Sequence, residues 1–338
     1  SCQPKSNLMT DPTKILIRMP NWLGDLMMAT AFCQAVLERF PEATVDLIIR
    51  KGFEGLPLPH RGTLLPFDRE LTKAGDFGAE LANQGYQRIY VLPPSFSSAW
   101  MAWRSRIPER IGYSGDGRRW LLRPAIRPAW QPRTRHLVEE YLHLLSPQDS
   151  KIPLVFPQLE LSEEWVSEQL RGLPALPKSF IALAPGAIYG PAKQWPEVYY
   201  HEVAAQLAQK WNESILILGT PADHASGEKI AQGLSGVENW CGRSNLPQLV
   251  ALLSRAKLLL SNDSGSMHIM AALQRPQLAI FGSTSPTWTR PLNPHARFLY
   301  RAEPCSPCFD RTCQFSHTNC LISIQPADAL QELENMLV

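Results

Sequence analysis

The chain has 338 residues, 44% of them apolar and 19% charged, with a formal net charge of +2. That length suits two domains of ordinary size, and the composition is that of a folded protein, not a disordered one. The near-balanced charge argues against general nucleic-acid binding, and no apolar run approaches the ~18–20 residues that span a bilayer.

The opening stretch "SCQPKSNLMTDPTK" is polar and lacks the apolar core of a signal peptide, so the chain reads as cytoplasmic, with no role for Cys2. Lys14 to Arg18 is strand-like, and after a Pro/Asn/Gly turn a helical pattern runs from about Leu26 to Phe40. Val45–Ile49 and Arg88–Leu92 are further strands, and His136–Leu145 is an amphipathic helix. A Pro-rich stretch from about Ser146 to Lys178 breaks the rhythm and reads as a linker holding one helix. The alternation then restarts with strands at Phe180–Ala184, Ser214–Leu218, Lys257–Leu260 and Gln277–Phe281. Between them lie helices at Pro196–Lys210, Pro221–Leu234 and Gly265–Leu273, and Pro326–Leu337 closes the chain as a helix. Short apolar strands alternating with helices predict an α/β fold with open parallel sheets, in two successive units that face a cleft.

Each strand of the second half ends in a turn of small residues: "PGAIYGPAKQWP", "GTPAD", "SNDSGSMH" and "FGSTSP". In a parallel sheet such turns gather at the carboxyl edge, where ligands bind. Glycine and serine let backbone N–H groups approach a phosphate, and a helix starting at Ser264 or Gly265 adds partial positive charge. Lys193 supplies a full one. Neither a Walker A motif nor a GxGxxG after a strand occurs, which argues against an ATPase or a dinucleotide enzyme. In the first half, "NWLGD" places Asp25 directly after Gly24, where it can cap the helix or serve as a base. Asp263 can likewise be a cap, His268 a core histidine and Lys193 a solvated loop residue.

Taken together, "NWLGD", "PGAIYGPAKQWP", "NDSGSMHIMAAL" and "FGSTSP" resemble the ADP-heptose:lipopolysaccharide heptosyltransferases, glycosyltransferase family 9, and within it heptosyltransferase II most closely. The resemblance runs from about Lys14 to the C-terminus, with the motifs in the family's order. It implies the GT-B architecture: two Rossmann-like domains facing a central cleft and a C-terminal helix crossing back to the first domain. The corresponding boundaries are 13–160 for the acceptor domain, 161–178 for a linker, 179–325 for the ADP-sugar domain and 326–338 for the helix. It implies inverting transfer of L-glycero-D-manno-heptose from ADP-heptose to the heptosyl-Kdo2-lipid A inner core, with no cofactor required for catalysis. Alternatives are heptosyltransferase I, a GT-B transferase with another nucleotide sugar or acceptor, or a non-catalytic nucleotide- or metal-binding protein on the same fold. By this resemblance Asp25 is the general base and Lys193 the donor-phosphate lysine. The donor side comprises Gly186, Lys193, Gly219, Asp223 (towards the ribose), Asp263 (towards heptose hydroxyls or an adjacent amide), Ser264, Gly265, His268 and Gly282. No Asp-x-Asp metal motif of the other large glycosyltransferase fold is present, so Lys193 and helix N-termini would neutralise the diphosphate.

Between Arg104 and Arg135 nine arginines stand against Glu109 and Asp116, interspersed with tryptophans. In the resembled family this domain holds an anionic glycolipid, whose carboxylates and phosphates arginine grips well. Arg104, Arg118 and Arg119, with Asn21, Trp22 and Gly24, are the expected acceptor residues, Gly24 leaving room for the sugar. A Kdo-containing lipid A acceptor implies peripheral contact with the cytoplasmic face of the inner membrane, and no nucleic acid is expected. A solvated arginine-rich loop region is the alternative. Last, "CSPCFDRTCQFSHTNC" sets Cys305, Cys308, Cys313 and Cys320 at spacings open to three readings: a structural metal site (Zn²⁺, with His317 as alternative ligand, or an iron–sulfur cluster), free thiols, or disulfides or redox function.

Overall fold

The structure, a computed structural model, describes residues 11–337 apart from Ala129, Ser150 and Pro153. Cys2, the polar N-terminal stretch as far as Thr10, and Val338 lie outside the described residues.

The first half runs β1 (Lys14–Arg18), α1 (Leu23–Arg39), β2 (Thr44–Arg50), β3 (Leu64–Phe67), α2 (Ala74–Glu80) and β4 (Arg88–Val91). It continues with α3 (Phe96–Arg104), β5 (Glu109–Tyr113), β6 (Ala125–Ile126) and α4 (Leu137–His143). Helix α5 (Glu163–Leu170) lies in the connecting stretch. The second half comprises β7 (Phe180–Ala184), α6 (Glu197–Lys210), β8 (Ser214–Ile217), α7 (His224–Ala231), β9 (Val237–Asn239), α8 (Leu246–Arg255), β10 (Leu258–Asn262) and α9 (Gly265–Ala272). After β11 (Gln277–Phe281) come α10 (Pro286–Thr289), β12 (Ala296–Tyr300), α11 (Asn319–Ile322) and α12 (Pro326–Leu337).

Two six-stranded parallel sheets result, ordered β3-β2-β1-β4-β5-β6 and β12-β11-β10-β7-β8-β9. Numbered within its own half, each has the doubly wound order 3-2-1-4-5-6, although the two halves share no sequence repeat. Helices cover both faces, so β7, β10 and β11 are buried along their whole length; β7 is an unbroken apolar run, and the other two are apolar apart from Ser261 and Asn262 at the end of β10 and Gln277 at the start of β11. Strands that escape the sequence pattern include the edge strands β3, which carries Pro66, and β9, which carries the exposed Glu238.

The halves meet where α1 packs against α9. Leu26, Phe32 and Val36 of the first half share one apolar core with Ile269, Met270 and Leu252 of the second. His136 adds a polar tie: its Nδ1 accepts from Val138 N–H, so Nε2 carries the proton and donates to Arg290 carbonyl at 2.9 Å.

One expectation fails. Helix α12 does not cross back to the first domain but packs on α6 and β11. Its Ala329 and Leu333 are fully buried with Val203 and Leu207, and Arg297–Glu332 and Arg301–Asp328 ion pairs pin it to the second sheet. The apolar stripe fits the exposed side of α6, which would otherwise face water.

Candidate active site between the two sheets

Strand β1 is the first strand of its sheet and lies next to β4, where the strand order reverses and open α/β sheets form their crevice. Buried Arg18 at its end donates to Asn21 Oδ1 at 2.6 Å and to the Met19 carbonyl, which fixes the turn into α1. Asn21 is therefore held by the protein itself, and Trp22, half exposed, is the N-cap residue. Helix α1 begins at Leu23, before the Leu26 start that the helical pattern suggests, so Asp25 is its third residue. It accepts no hydrogen bond among the described residues, so helix capping does not account for it. Burial pushes its carboxyl from an ordinary 3.8 up to about 6, against the pull of Lys193 and with a smaller push from Asp263.

Lys193 closes the 3₁₀ turn Pro191–Lys193 after β7, and Asp263 follows β10. Their side chains form a buried ion pair at 2.5 Å. Asp263 Oδ2 also accepts from Thr284 Oγ1 at 2.5 Å, and its Oδ1 lies 3.8 Å from His268 Nε2. Burial lowers His268 to about 4, so the ring is neutral at physiological pH. Asp263 is thus a buried clamp on Lys193, not the cap of α9: that position is Ser264, whose side chain makes no capping bond. Among the described residues the hydroxyls of Ser264 and Ser283 are buried without a partner. Orphaned hydroxyls at the start of a helix are what an oxygen-rich ligand would satisfy.

Gly186, Gly219 and Asp223 form a second group. A Cβ at Gly186 would stand 2.5 Å from Asp223 Oδ1, and one at Gly219 would stand 2.9 Å from Asp223 Cβ. Asp223 Oδ2 is occupied by Thr220, from its N–H at 2.8 Å and its hydroxyl at 2.7 Å. Only Oδ1 is left to meet a ligand. Gly282 lies against Leu321 and the Ala192 carbonyl, which brings the fourth turn to the lysine turn.

The space over Gly24 is not open to a sugar, as the sequence suggests, because the His268 ring would stand 2.7 Å from a Cβ there. Gly265 stands in the same relation to Leu23, so the two glycines let α1 and α9 touch. Arg118 also departs from expectation. It is fully buried and donates to the Pro93 carbonyl at 2.7 Å and the Ser95 carbonyl at 3.3 Å, tying the start of α3 to the Arg118–Leu121 turn. Arg104 is the last residue of α3, at the end away from the cleft edge, with its guanidinium over Trp100. Arg119 is exposed beside Trp120.

The zinc reading of the cysteine cluster finds no support. Among the described residues no group of three or more His, Cys, Asp or Glu is arranged to hold a metal ion. Cys305, Cys308, Cys313 and Cys320 are free thiols, and His317 Nδ1 is taken by Asn319 N–H at 3.1 Å. The segment braces the turns after β7 and β11. Ala192 N–H donates to Arg311 carbonyl at 3.0 Å, Phe309 N–H to Ser283 carbonyl at 2.8 Å, and Ser306 hydroxyl to Gly282 carbonyl at 2.7 Å.

Sequence reasoning missed Thr284, Arg311 and Asn262. Asn262 accepts from Trp195 N–H and Tyr200 hydroxyl, both at 3.1 Å, and donates to Pro185 carbonyl at 2.5 Å. Thr284 and Asn262 stand inside motifs already singled out, and their polar side chains at strand ends were the available signal. Nothing local marks Arg311.

Residues 75–319 match the family model described as glycosyltransferase family 9 (heptosyltransferase). The chain is 32% identical to lipopolysaccharide heptosyltransferase 2 of Escherichia coli (strain K12), over 96% of this chain and 99% of that relative. It is 30% identical to lipooligosaccharide heptosyltransferase 2 of Haemophilus ducreyi, with the same coverage. The solved structure of E. coli ADP-heptose lps heptosyltransferase II superposes with a TM-score of 0.82 at 31% identity, covering 96% of this chain and 98% of that one. With two doubly wound sheets meeting at an acid, a lysine and a helix start, the chain belongs to glycosyltransferase family 9, the heptosyltransferases.

Proposed function

We propose that this enzyme transfers L-glycero-D-manno-heptose from ADP-heptose to the heptosyl-Kdo2-lipid A inner core, with residues 13–160 holding the acceptor and 179–325 the donor. The carrying observation is Asp25: a carboxylate with no hydrogen-bond partner among the described residues, raised to about 6, facing the Lys193–Asp263 pair across the domain contact. Asp25 takes the proton of the attacking hydroxyl as that oxygen bonds to the anomeric carbon. The bond from that carbon to the phosphate oxygen breaks, and ADP leaves with the electron pair. Attack from the face opposite ADP inverts the carbon, as the family does.

Lys193, held by Asp263 and Thr284, stabilises the charge that grows on the leaving phosphate. The N-terminus of α9 and the partnerless hydroxyls of Ser264 and Ser283 complete a cradle for the diphosphate. Asp223 Oδ1, between Gly186 and Gly219, is free to accept from the ribose. Neutral His268 closes the floor beside Gly24. No described helix is long and apolar enough to cross a membrane, which fits an enzyme that meets its lipid acceptor peripherally at the cytoplasmic face of the inner membrane.

The test is transfer from ADP-heptose to Kdo2-lipid A carrying one heptose, with heptose-free Kdo2-lipid A as the rival acceptor. Faster turnover of the one-heptose acceptor is expected. Preference for the heptose-free acceptor would make the enzyme a heptosyltransferase I, and transfer only from another nucleotide sugar would refute the donor.

A further inference from the structure

We propose that the outer face of α3, together with the adjoining Arg118–Leu121 turn, is the surface on which this enzyme rests against an anionic lipid bilayer. Phe96, Trp100 and Trp103 recur at i, i+4 and i+7, so they form one stripe along α3. Phe96 is 50% exposed, Trp103 43%, and Trp120, on the turn that packs against α3, 84%. Trp100 and Trp103 stack with ring centres 4.9 Å apart. They line an open groove of about 630 Å³ together with Arg104, Arg106 and Arg110. None of these three arginines makes an ion pair among the described residues; Arg110 is held by the Leu121 carbonyl at 2.9 Å and by the Ile107 carbonyl, which leaves the Arg104 and Arg106 guanidinium groups unpaired, and the neighbouring Glu109 is already paired with Arg88 at 2.5 Å.

Three large aromatics facing water beside unpaired guanidinium groups are a poor arrangement for a surface that stays in water. Aromatic rings settle at the headgroup level of a bilayer, and arginines are drawn to anionic headgroups. Nucleic acid would suit the charge but not the apolar stripe, and the whole chain carries only +2.

The orientation also fits. Helix α3 starts just after β4, the neighbour of β1, so Phe96 leaves the sheet on the same edge as Asp25. An acceptor anchored in a bilayer along this face reaches the base without passing around the sheet. The groove itself lies towards the other end of α3, apart from the cleft, so its arginines serve attachment and not chemistry. The inference rests on the acceptor being a membrane lipid, yet it is read without donor or acceptor, so the two readings fail separately.

The experiment is co-sedimentation of the full chain with vesicles of phosphatidylcholine alone or with 30% phosphatidylglycerol (~30%, enough to give an anionic surface), at low and high salt. Wild type is expected to bind the anionic vesicles and to be released by salt. Arg106→Glu should lower partitioning by roughly fivefold or more. The triple variant Phe96→Ser/Trp103→Ser/Trp120→Ser should bind much less, while both variants keep transfer to a detergent-dispersed acceptor within about twofold. All four positions are solvent-exposed, and Arg106→Glu stands alone should the triple variant misfold. Absence of wild-type binding, or binding unchanged in Arg106→Glu, would overturn the proposal. Tighter binding to a duplex oligonucleotide than to the vesicles would overturn it in favour of nucleic acid.

Discussion

Asp25→Asn is expected to destroy activity and at the same time stabilise the fold. The substitution keeps the shape of the side chain and removes its charge. Burial raises the Asp25 carboxyl from 3.8 to about 6, so the folded protein resists ionising it. At ~1.4 kcal/mol per pH unit, that difference is roughly 3 kcal/mol of destabilisation once the group is ionised. Partial solvent exposure screens the charge and brings the figure to about 1–3 kcal/mol. The sign is set by where protons bind. Below the unfolded value of 3.8 the group is neutral in both states and imposes no penalty. Between 3.8 and about 6 the unfolded chain ionises first, and above about 6 the whole penalty is present. Asparagine never pays it. Urea unfolding of wild type and variant should therefore coincide near pH 4 and diverge by pH 7.5, with the variant the more stable. Transfer by the variant should fall ~10²-fold or more, the usual worth of a general base, and wild-type kcat/KM should decline about tenfold per pH unit below about 6. A variant no more stable than wild type at pH 7.5 would show that the carboxylate is not disfavoured in the fold. Undiminished transfer would refute its role as base.

Two further substitutions examine the supports of the site. Thr284→Val removes one of the two donors to the buried Asp263 carboxylate and should cost about 1.5–3 kcal/mol, with kcat falling more than KM for the donor changes. Unchanged stability and kcat would show that Lys193 alone holds Asp263. Arg118→Ala should cost roughly 2–4 kcal/mol in unfolding experiments by stranding the Pro93 and Ser95 carbonyls and opening a cavity, while KM for the lipid acceptor stays the same. A raised acceptor KM with unchanged stability would return Arg118 to the acceptor surface.

Much of this architecture was legible in the residues because its causes are local. Strands buried on both faces must be mostly apolar, so β1, β7, β10 and β11 declared themselves, and the small-residue turns marked the carboxyl edge, where open α/β sheets form their crevice. Asp25, Lys193 and Asp263 stood out by type and place in their turns. That they meet did not: Lys193 and Asp263 pair across β7 and β10, and Asp25 joins them only because Gly24 and Gly265 let α1 and α9 touch. Contacts between distant segments follow from sheet order and helix packing, which leave no periodic trace in a single sequence. For the same reason an arginine's composition does not say whether it reaches water. Arg118 turned inward to two carbonyls, while Arg106, twelve residues earlier in the same basic run, stayed outside. Likewise the apolar stripe of α12 announced that the helix must be buried, but only the free side of α6 decided against which domain.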